Sequence, residues 1–185
     1  MSPSIGEKAP DFAVNDQDGK PVRLSALKGK KVVLYFYPKD MTPGCTVEAC
    51  NLRDNYKLLI KQGYEVLGIS TDNEKTHQKF IAKENLPFRL LSDTDKQVHN
   101  LYETWVEKSM YGRKYMGTAR KTFIIDEKGI IEDIIEKVDT KNHTDQILRK
   151  GQENVGSPAA KKVAAKKTAV KQPRRVGAKK AKSKR

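Results

Sequence analysis

The chain has 185 residues, with 37 Lys or Arg against 23 Asp or Glu, and a formal net charge of +14 at pH 7. Two cysteines are too few for the disulfide framework of a small secreted domain, no apolar run reaches the ~18 residues of a membrane span, and no apolar signal segment follows Met1. We therefore expect a protein of the reducing cytoplasm, with one domain of about 150 residues that buries its own core.

The first predicted element is a buried strand over residues 32–36, which are all apolar or aromatic and are followed by the strand breaker Pro38. A helix is predicted next, because Thr42 is a preferred N-cap residue and Pro43 suits the first helical position. Cys45 then falls in the first turn of this helix.

A cysteine in a first helical turn is expected to be reactive. A free thiol has a pKa near ~8.5, but the unpaired N–H groups and the positive dipole end of a helix N-terminus favour the thiolate. The alternative is a buried structural cysteine. The cap residues argue against it, because they place the thiol of Cys45 at the mouth of a helix and outside the core.

Cys50 lies five residues after Cys45 on the same predicted helix. On an ideal helix this spacing separates the two Cα atoms by about 8 to 9 Å, whereas a disulfide needs less than about 7 Å. A bond between the two sulfurs would require the helix to open, so it would be transient. A metal site is not indicated, because the cysteines lack further clustered ligands and the three histidines lie far apart in the sequence: His77, His99 and His143.

The remaining elements alternate between strand and helix. The cysteine helix is predicted to continue to Gly63, with an inward face of Leu52, Tyr56, Leu59 and Ile60. Further strands are predicted at residues 64–70, 121–126 and 130–136, and further helices at residues 73–84 and 141–150. This alternation favours an α/β domain with a central sheet covered on both faces.

Residues 102–116 are less regular and are predicted to form a loop or short helix near the mouth of a pocket. The segment contains Trp105, Tyr111, Gly112 and Tyr115. Its aromatic side chains either line a substrate groove or serve ordinary packing.

Pro38, Thr42 and Cys45 match the Pro-x-x-x-Thr-x-x-Cys motif of the peroxiredoxins. The chain resembles that family from about residue 8 to about residue 148. The resemblance implies a thioredoxin-like α/β fold, with a central mixed sheet flanked by helices. Cys50 resembles the resolving cysteine of the bacterioferritin comigratory protein, or peroxiredoxin Q, branch of the family.

Residues 117–126 resemble the late strand of the same family, and Arg120 matches the arginine that faces its active site. The implied reaction needs a thiolate from Cys45, a hydrogen bond from Thr42 to sulfur or peroxide, and a cation that stabilises the leaving oxygen. Pro38 would limit the access of water. Glu48 either accepts a hydrogen bond from Arg120 and holds its guanidinium, or is a solvated helix carboxylate.

The resemblance also implies the rest of the catalytic cycle. A sulfenic acid on Cys45 would condense with Cys50 to an internal disulfide, which prevents irreversible overoxidation. Thioredoxin or a similar dithiol would then reduce this disulfide. The implied substrates are hydrogen peroxide and small organic hydroperoxides, and no haem, flavin or metal is required. A monomer is expected.

Composition changes near Gly151. Residues 151–185 contain twelve Lys or Arg and one acid, Glu153, whereas residues 1–150 carry a net charge of +3. Without aromatic residues, and with repeated Ala-Lys-Lys steps, the segment is predicted to be a disordered basic tail. It resembles the lysine-alanine tails of histone-like DNA-binding proteins.

Such a tail would bind nucleic acid through phosphate, without sequence preference. A solubilising extension and a tether to anionic membranes are the alternatives. Binding to nucleic acid would associate the protein with a nucleoid. In a cell with a nucleus, Pro-Arg-Arg near residue 173 and the terminal Lys-Ser-Lys-Arg would serve as import signals.

Two other function classes remain open at this point. One is a nucleic-acid-binding protein whose globular domain is mainly a carrier. The other is a thioredoxin-like disulfide exchanger, against which the spacing argues, because it is Cys-x4-Cys and not Cys-x-x-Cys.

Overall fold

A computed structural model describes residues 3–153 of the chain. The strands are β1 Ala13–Asp16, β2 Pro21–Arg23, β3 Lys31–Phe36, β4 Tyr64–Ser70, β5 Arg89–Ser92, β6 Trp105–Met110, β7 Arg113–Thr118, β8 Lys121–Ile125 and β9 Ile131–Ile135. The α-helices are α1 Pro43–Asp54, α2 Tyr56–Lys61, α3 Glu74–Glu84, α4 Gln97–Leu101 and α5 His143–Glu153. None of these helices is long and apolar enough to cross a membrane.

Seven strands form one mixed sheet in the order β2-β1-β5-β4-β3-β8-β9. The central strands β3, β4 and β5 are parallel, while β8 runs antiparallel to β3 and β9 antiparallel to β8. The carboxyl end of β3 therefore lies beside the amino end of β8, where Phe36 pairs with Lys121. This edge of the sheet receives the loop that leads into α1.

The sheet is buried on both faces, as the alternation of elements predicted. On β3, Val33 and Tyr35 belong to a core that includes side chains of α1, α2, α3 and α5. Their neighbours Val32 and Leu34 face a second core, which includes the N-terminal segment and α4. A strand buried on both faces has an uninterrupted apolar sequence, which is the pattern of β3.

Several predicted boundaries agree closely with the structure. Strand β4 spans residues 64–70 as predicted, and α3 begins after its N-cap Asn73, whose side chain accepts a hydrogen bond from the Thr76 N–H. The last helix starts at His143 and runs to Glu153, past the predicted domain boundary at residue 150. Beyond residue 153, the predicted disordered tail lies outside the described residues.

Two predictions are wrong. The segment of residues 102–116 is not a loop or short helix, because β6 and β7 form a two-stranded hairpin with Tyr111 and Gly112 at positive φ in its turn. The helix after Cys45 is not continuous to Gly63, since it breaks at Asn55 between α1 and α2. Ile60, which was predicted to face inward, is 46% exposed.

Candidate active site

The first turn of α1 lies at the edge where β3 ends. Thr42 is the N-cap residue and Pro43 the first helical residue, as predicted. The Thr42 hydroxyl does not cap the helix, since it donates to the Lys39 carbonyl at 3.0 Å. The Thr46 N–H bonds back to the Thr42 carbonyl at 2.9 Å, so Cys45 lies in the turn whose N–H groups support negative charge.

Cys45 is buried, and the expectation of a thiol outside the core is wrong. Only 2% of its surface is exposed, and it belongs to the same core as Ala49 and Leu52. These residues and Glu48 are the buried positions of α1, at the i, i+3, i+4 and i+7 spacing of one helix face. The cap residues place Cys45 correctly at the start of the helix, but the phase of the helix turns its side chain inward.

Arg120 contacts both Cys45 and Glu48. One guanidinium nitrogen, Nη2, donates to Cys45 Sγ at 3.3 Å, and Nη1 donates to Glu48 Oε2. The guanidinium passes over Gly44, where a Cβ atom would lie 3.5 Å from Nη2. A planar cation is thus fixed between the sulfur of Cys45 and the carboxylate of Glu48.

Glu48 is not a solvated helix carboxylate. Its side chain is fully buried, and burial raises the pKa of Glu48 to about 7, although the charge of Arg120 and its hydrogen bond oppose this shift. The sequence left two interpretations of Glu48 open, a contact with Arg120 or a solvated carboxylate, and the structure shows the contact with Arg120.

His143 also reaches this site, which its position in the sequence did not indicate. Its Nδ1 lies 3.3 Å from Glu48 Oε1, and its Nε2 lies 2.9 Å from the Thr122 hydroxyl. Burial and, to a smaller extent, the charge of Arg120 lower the pKa of His143 to about 3. Thr122 could have been noticed, because it lies two residues after Arg120 at the start of β8, where alternate residues share a face.

Lys108 is a second cation near the site that the sequence did not indicate. It lies on β6 and donates to the Thr118 carbonyl. Burial lowers the pKa of Lys108, as does the charge of Arg120, while Cys45 acts in the opposite direction. The hairpin that replaced the predicted loop therefore brings a positive charge towards the cysteine.

The loop between β3 and α1 is fixed by Asp40. Its carboxylate accepts from the Tyr37 hydroxyl at 2.6 Å and lies 2.7 Å from His77 Nδ1, while its backbone N–H donates to Asp72 at 2.8 Å. These contacts hold the residue before Met41, which has a φ of 59°. The left-handed conformation is unfavourable for methionine, so the Asp40 contacts stabilise a strained approach to α1.

Pro38 and Cys50 lie at the margin of the site. Pro38 is half-buried in the same loop. Cys50 is also half-buried, and its thiol donates to Glu84 at 3.6 Å. Burial raises the pKa of the Cys50 thiol. The charge of Arg53 lowers this pKa, and the hydrogen bond and charge of Glu84 raise it. The structure thus groups Cys45, Glu48 and Arg120, and leaves Cys50 apart as a thiol.

Comparison with known proteins identifies the family of the chain. The model of the AhpC/TSA family matches residues 5–134. The chain belongs to the AhpC/TSA family. The putative peroxiredoxin Bcp of Coxiella burnetii is 50% identical over 148 residues, which are 80% of this chain and 98% of that protein. Peroxiredoxin Bcp of Escherichia coli K12 is 50% identical over 149 residues, covering 80% and 96%.

Solved structures agree with the sequence relatives. Peroxiredoxin Q of Xanthomonas campestris has a TM-score of 0.72 at 33% identity, covering 77% of this chain and 91% of that one. Peroxidoxin BcpB of Mycobacterium tuberculosis has a TM-score of 0.72 at 35% identity, covering 82% and 97%. The predicted peroxiredoxin Q membership and thioredoxin-like fold are confirmed, and the chain is a thiol peroxidase of the peroxiredoxin type.

Proposed function

We propose that this peroxiredoxin reduces hydrogen peroxide and small organic hydroperoxides with Cys45 as the attacking thiolate. The observation that carries the proposal is the 3.3 Å hydrogen bond from Arg120 to Cys45 Sγ in the first turn of α1. A related solved structure, 32% identical, concerns the alkyl peroxide reduction activity of the Xanthomonas campestris bacterioferritin comigratory protein. That activity supports organic hydroperoxides as one substrate class for this chain.

The chemical step transfers one oxygen atom. The Cys45 thiolate attacks the hydroxyl oxygen of the peroxide, so a sulfur–oxygen bond forms, the oxygen–oxygen bond breaks, and Cys45 becomes a sulfenic acid. The other oxygen leaves as alkoxide or hydroxide and takes a proton from water. Arg120 stabilises this leaving oxygen, and the Thr42 oxygen accepts the peroxide O–H, because its own proton is engaged by Lys39.

Cys50 completes the cycle as the resolving cysteine. Its thiol attacks the sulfenic acid of Cys45, which releases water and forms a disulfide. Five residues separate the two positions on the intact helix α1, so their Cα atoms lie about 8 to 9 Å apart and the helix must open first. Until then the contact with Glu84 keeps Cys50 protonated. Thioredoxin or a similar dithiol then restores both thiols.

Two substitutions test this division of labour. Cys45→Ser is expected to abolish peroxide consumption, whereas Cys50→Ser is expected to consume about one equivalent and then stall, because sulfenic acid forms at Cys45 alone. Peptide mass spectrometry of the treated Cys50→Ser protein is expected to find the oxidation at residue 45. Oxidation at residue 50 in the Cys45→Ser protein, at the wild-type rate, would overturn the assignment.

We further propose that the basic C-terminal segment binds nucleic acid. Residues 154–185 contain twelve Lys or Arg and no acid, so they supply most of the +14 charge of the chain. Such a segment releases counterions from phosphate, and its affinity depends on salt and not on base sequence.

A chain ending at Glu153 tests this second proposal, because α5 stays complete. It is expected to keep its peroxidase rate and to lose most of its affinity for duplex DNA, while the full chain loses affinity steeply as salt rises. Equal binding of both chains at low salt would contradict the proposal. Binding of the full chain to anionic vesicles, but not to DNA, would assign the segment to membranes instead.

A further inference from the structure

Four side chains from three elements and a loop form one continuous line of contacts behind the reactive cysteine. Arg120, in the loop before β8, contacts Glu48 on α1, and Glu48 faces His143 on α5. His143 in turn contacts Thr122 on β8. Glu48, His143 and Thr122 are all fully buried. The last helix of the domain thus reaches the carboxylate that holds the catalytic arginine.

Two neighbouring buried atoms in this line lack a hydrogen-bond partner among residues 3–153. Glu48 Oε1 and His143 Nδ1 lie 3.3 Å apart, and the contact between them is close but not aligned as a hydrogen bond. Leaving two such polar atoms unsatisfied in a buried site is unfavourable. A hydrogen on one of the two atoms, brought into line with the other by a small rotation of either side chain, would satisfy both.

The other ring nitrogen of His143, Nε2, can form a hydrogen bond whether or not it carries the ring hydrogen. His143 Nε2 lies 2.9 Å from the Thr122 hydroxyl, which donates or accepts a hydrogen bond by rotating about its own C–O bond. The ring can thus carry its hydrogen on Nδ1 or on Nε2 with both nitrogens satisfied. A neutral imidazole fits this site in both tautomers.

We propose that His143 and Thr122 form a tautomer switch, which lets Glu48 gain or lose one proton while the imidazole stays neutral, and that the carboxylate form positions Arg120. In that form His143 Nδ1–H donates to Glu48 Oε1, and the Thr122 hydroxyl donates to Nε2. When one proton is taken up from hydronium in the solvent, it binds Nε2 and the Nδ1 hydrogen passes to Glu48 Oε1, so that the carboxyl group donates to Nδ1 and Nε2–H donates to Thr122. His143 and Thr122 act through Glu48 and are positioning residues.

The surrounding charges favour this assignment. The groups that face the pair are Arg120, Asp139 and Tyr35, whose ring centroid lies 6.0 Å from that of His143. Burial and the Arg120 charge disfavour an imidazolium, and the charge of Asp139 favours it. With a pKa of about 7 for Glu48 against about 3 for His143, an added proton near neutral pH goes to the carboxylate.

Protonation of Glu48 removes the negative charge that pairs with Arg120, and this loss is expected to affect catalysis. A carboxylate forms a charge-assisted hydrogen bond with a guanidinium, and a neutral carboxyl group forms a weaker one. Protonation of Glu48 therefore leaves Arg120 less firmly oriented towards Cys45 Sγ. The rate of Cys45 oxidation is expected to fall at acidic pH for this reason, in addition to any titration of the thiol itself.

Nitrogen-15 NMR of histidine in the reduced full chain tests the proposal directly. The two His143 ring nitrogens are expected to exchange their pyrrole-like and pyridine-like shifts as the pH crosses about 7, with no imidazolium signature. One tautomer throughout pH 5 to 9, or an imidazolium in that range, would overturn it. The measurement needs no peroxide, so it is independent of the proposed activity.

Matched variants separate positioning from a merely structural role. Thr122→Ser keeps a hydroxyl and is expected to keep the tautomer exchange, whereas the isosteric Thr122→Val is expected to lock one tautomer. His143→Phe keeps the ring against Tyr35 and removes both nitrogens. It is expected to move the acidic limb of the pH–rate profile upwards by about one pH unit or more, because the carboxylate loses a charge-assisted donor.

A control addresses the packing of α5. Thr144→Val removes the hydroxyl that donates to Asn51 on α1, keeps the backbone N–H that donates to the same oxygen, and leaves His143 in place. It is expected to lower stability without moving the pH–rate profile. If Thr144→Val and His143→Phe shift the profile equally, or if Thr122→Val retains the exchange, the proposed switch is refuted.

Discussion

Asn51 and Thr144 join the helix of the two cysteines to the last helix of the domain. Asn51 Oδ1 accepts from both the backbone N–H and the hydroxyl of Thr144, each at 2.9 Å, and its side-chain amide donates to the Lys141 carbonyl at 2.7 Å. Asn51 is the residue directly after Cys50. Any opening of α1 around Cys50 therefore pulls on the start of α5.

Oxidation to the internal disulfide is expected to loosen both helices. The helix must open between the cysteines, because their Cα separation is too long for a disulfide, and the Asn51 contacts break with it. Hydrogen exchange should rise across residues 43–54 and also across residues 143–147, while β4 stays protected. Equal protection of α5 in the reduced and disulfide forms would show that its contacts with Asn51 survive.

Two substitutions of Arg120 are expected to separate the effect of its positive charge on the rate from the effect of its planar shape. Arg120→Ala removes the cation next to sulfur and leaves Glu48 buried without its partner, so peroxide reduction should fall by about 10²- to 10³-fold. Arg120→Lys keeps the charge but cannot bond Cys45 and Glu48 with one planar group, so it should be intermediate. Single-turnover oxidation rates measure both. Wild-type rates in Arg120→Ala would remove this residue from the site.

Asp40→Asn tests the fixed loop before α1. The change replaces a carboxylate that Tyr37 and His77 contact within 2.7 Å, and we expect a stability loss of about 1 to 3 kcal/mol in urea unfolding. The rate of Cys45 oxidation should also fall, since the loop places Thr42. Asp95→Asn, at an exposed carboxylate, is the matched control and should change neither quantity.

Gly68 is expected to accept no side chain. A Cβ atom there would lie 2.6 Å from Leu90 Cδ2 and 2.7 Å from the Tyr35 hydroxyl oxygen, in the middle of the sheet. Gly68→Ala should therefore destabilise the domain by about 1 to 3 kcal/mol, as overpacking does. Gly44→Ala, where the nearest atom would be at 3.5 Å, should unfold at nearly the wild-type urea concentration. Equal midpoints would show that β4 shifts easily.

The pH dependence of stability should reveal Glu48 once His143 is removed. Folded Glu48 keeps its proton up to about 7 instead of 4.5, so its contribution to stability falls as pH rises between those values. Folded His143 stays neutral down to about 3 instead of 6.5, so its contribution rises with pH between 3 and 6.5.

From pH 4.5 to 6.5 these two slopes have opposite signs and offset each other. In His143→Phe only the Glu48 slope remains, so the free energy of unfolding of this variant should decrease as pH rises from 4.5 to 7, whereas that of the wild type should change little between 4.5 and 6.5. Denaturant unfolding at several pH values measures both curves. A free energy of unfolding that stays constant in His143→Phe over this range would show that Glu48 has no raised pKa in the folded protein.

The cysteine helix and the central strands were predictable because their signals are local. Gly63 before an apolar run defines β4, and Thr42 with Pro43 defines the start of α1. The β6–β7 hairpin was missed because its strands are mostly exposed and lack an alternating apolar pattern. Its turn residues, Tyr111 and Gly112, are also not the Asn-Gly or Asp-Gly pair that indicates such a turn.

The candidate site was predictable only where the family motif or the spacing along one helix supplied it. Glu48 was found because it lies one turn after Cys45, so helical spacing alone relates the two. His143 lies 95 residues beyond Glu48 and reaches it only because α5 packs against α1. The inward direction of Cys45 depends on how α1 docks on the sheet, and a list of cap residues carries no information about that.

Three methionine side chains are exposed on the loop and hairpin of this peroxidase: Met41 at 41%, Met110 at 58% and Met116 at 50%. A thioether takes up one oxygen atom from peroxide to become a sulfoxide, which is the same mass gain as a sulfenic acid. The mass of the intact protein therefore counts bystander sulfur together with the active thiol. Stoichiometry of oxidation in this protein has to be read peptide by peptide, or with Met41, Met110 and Met116 replaced by leucine.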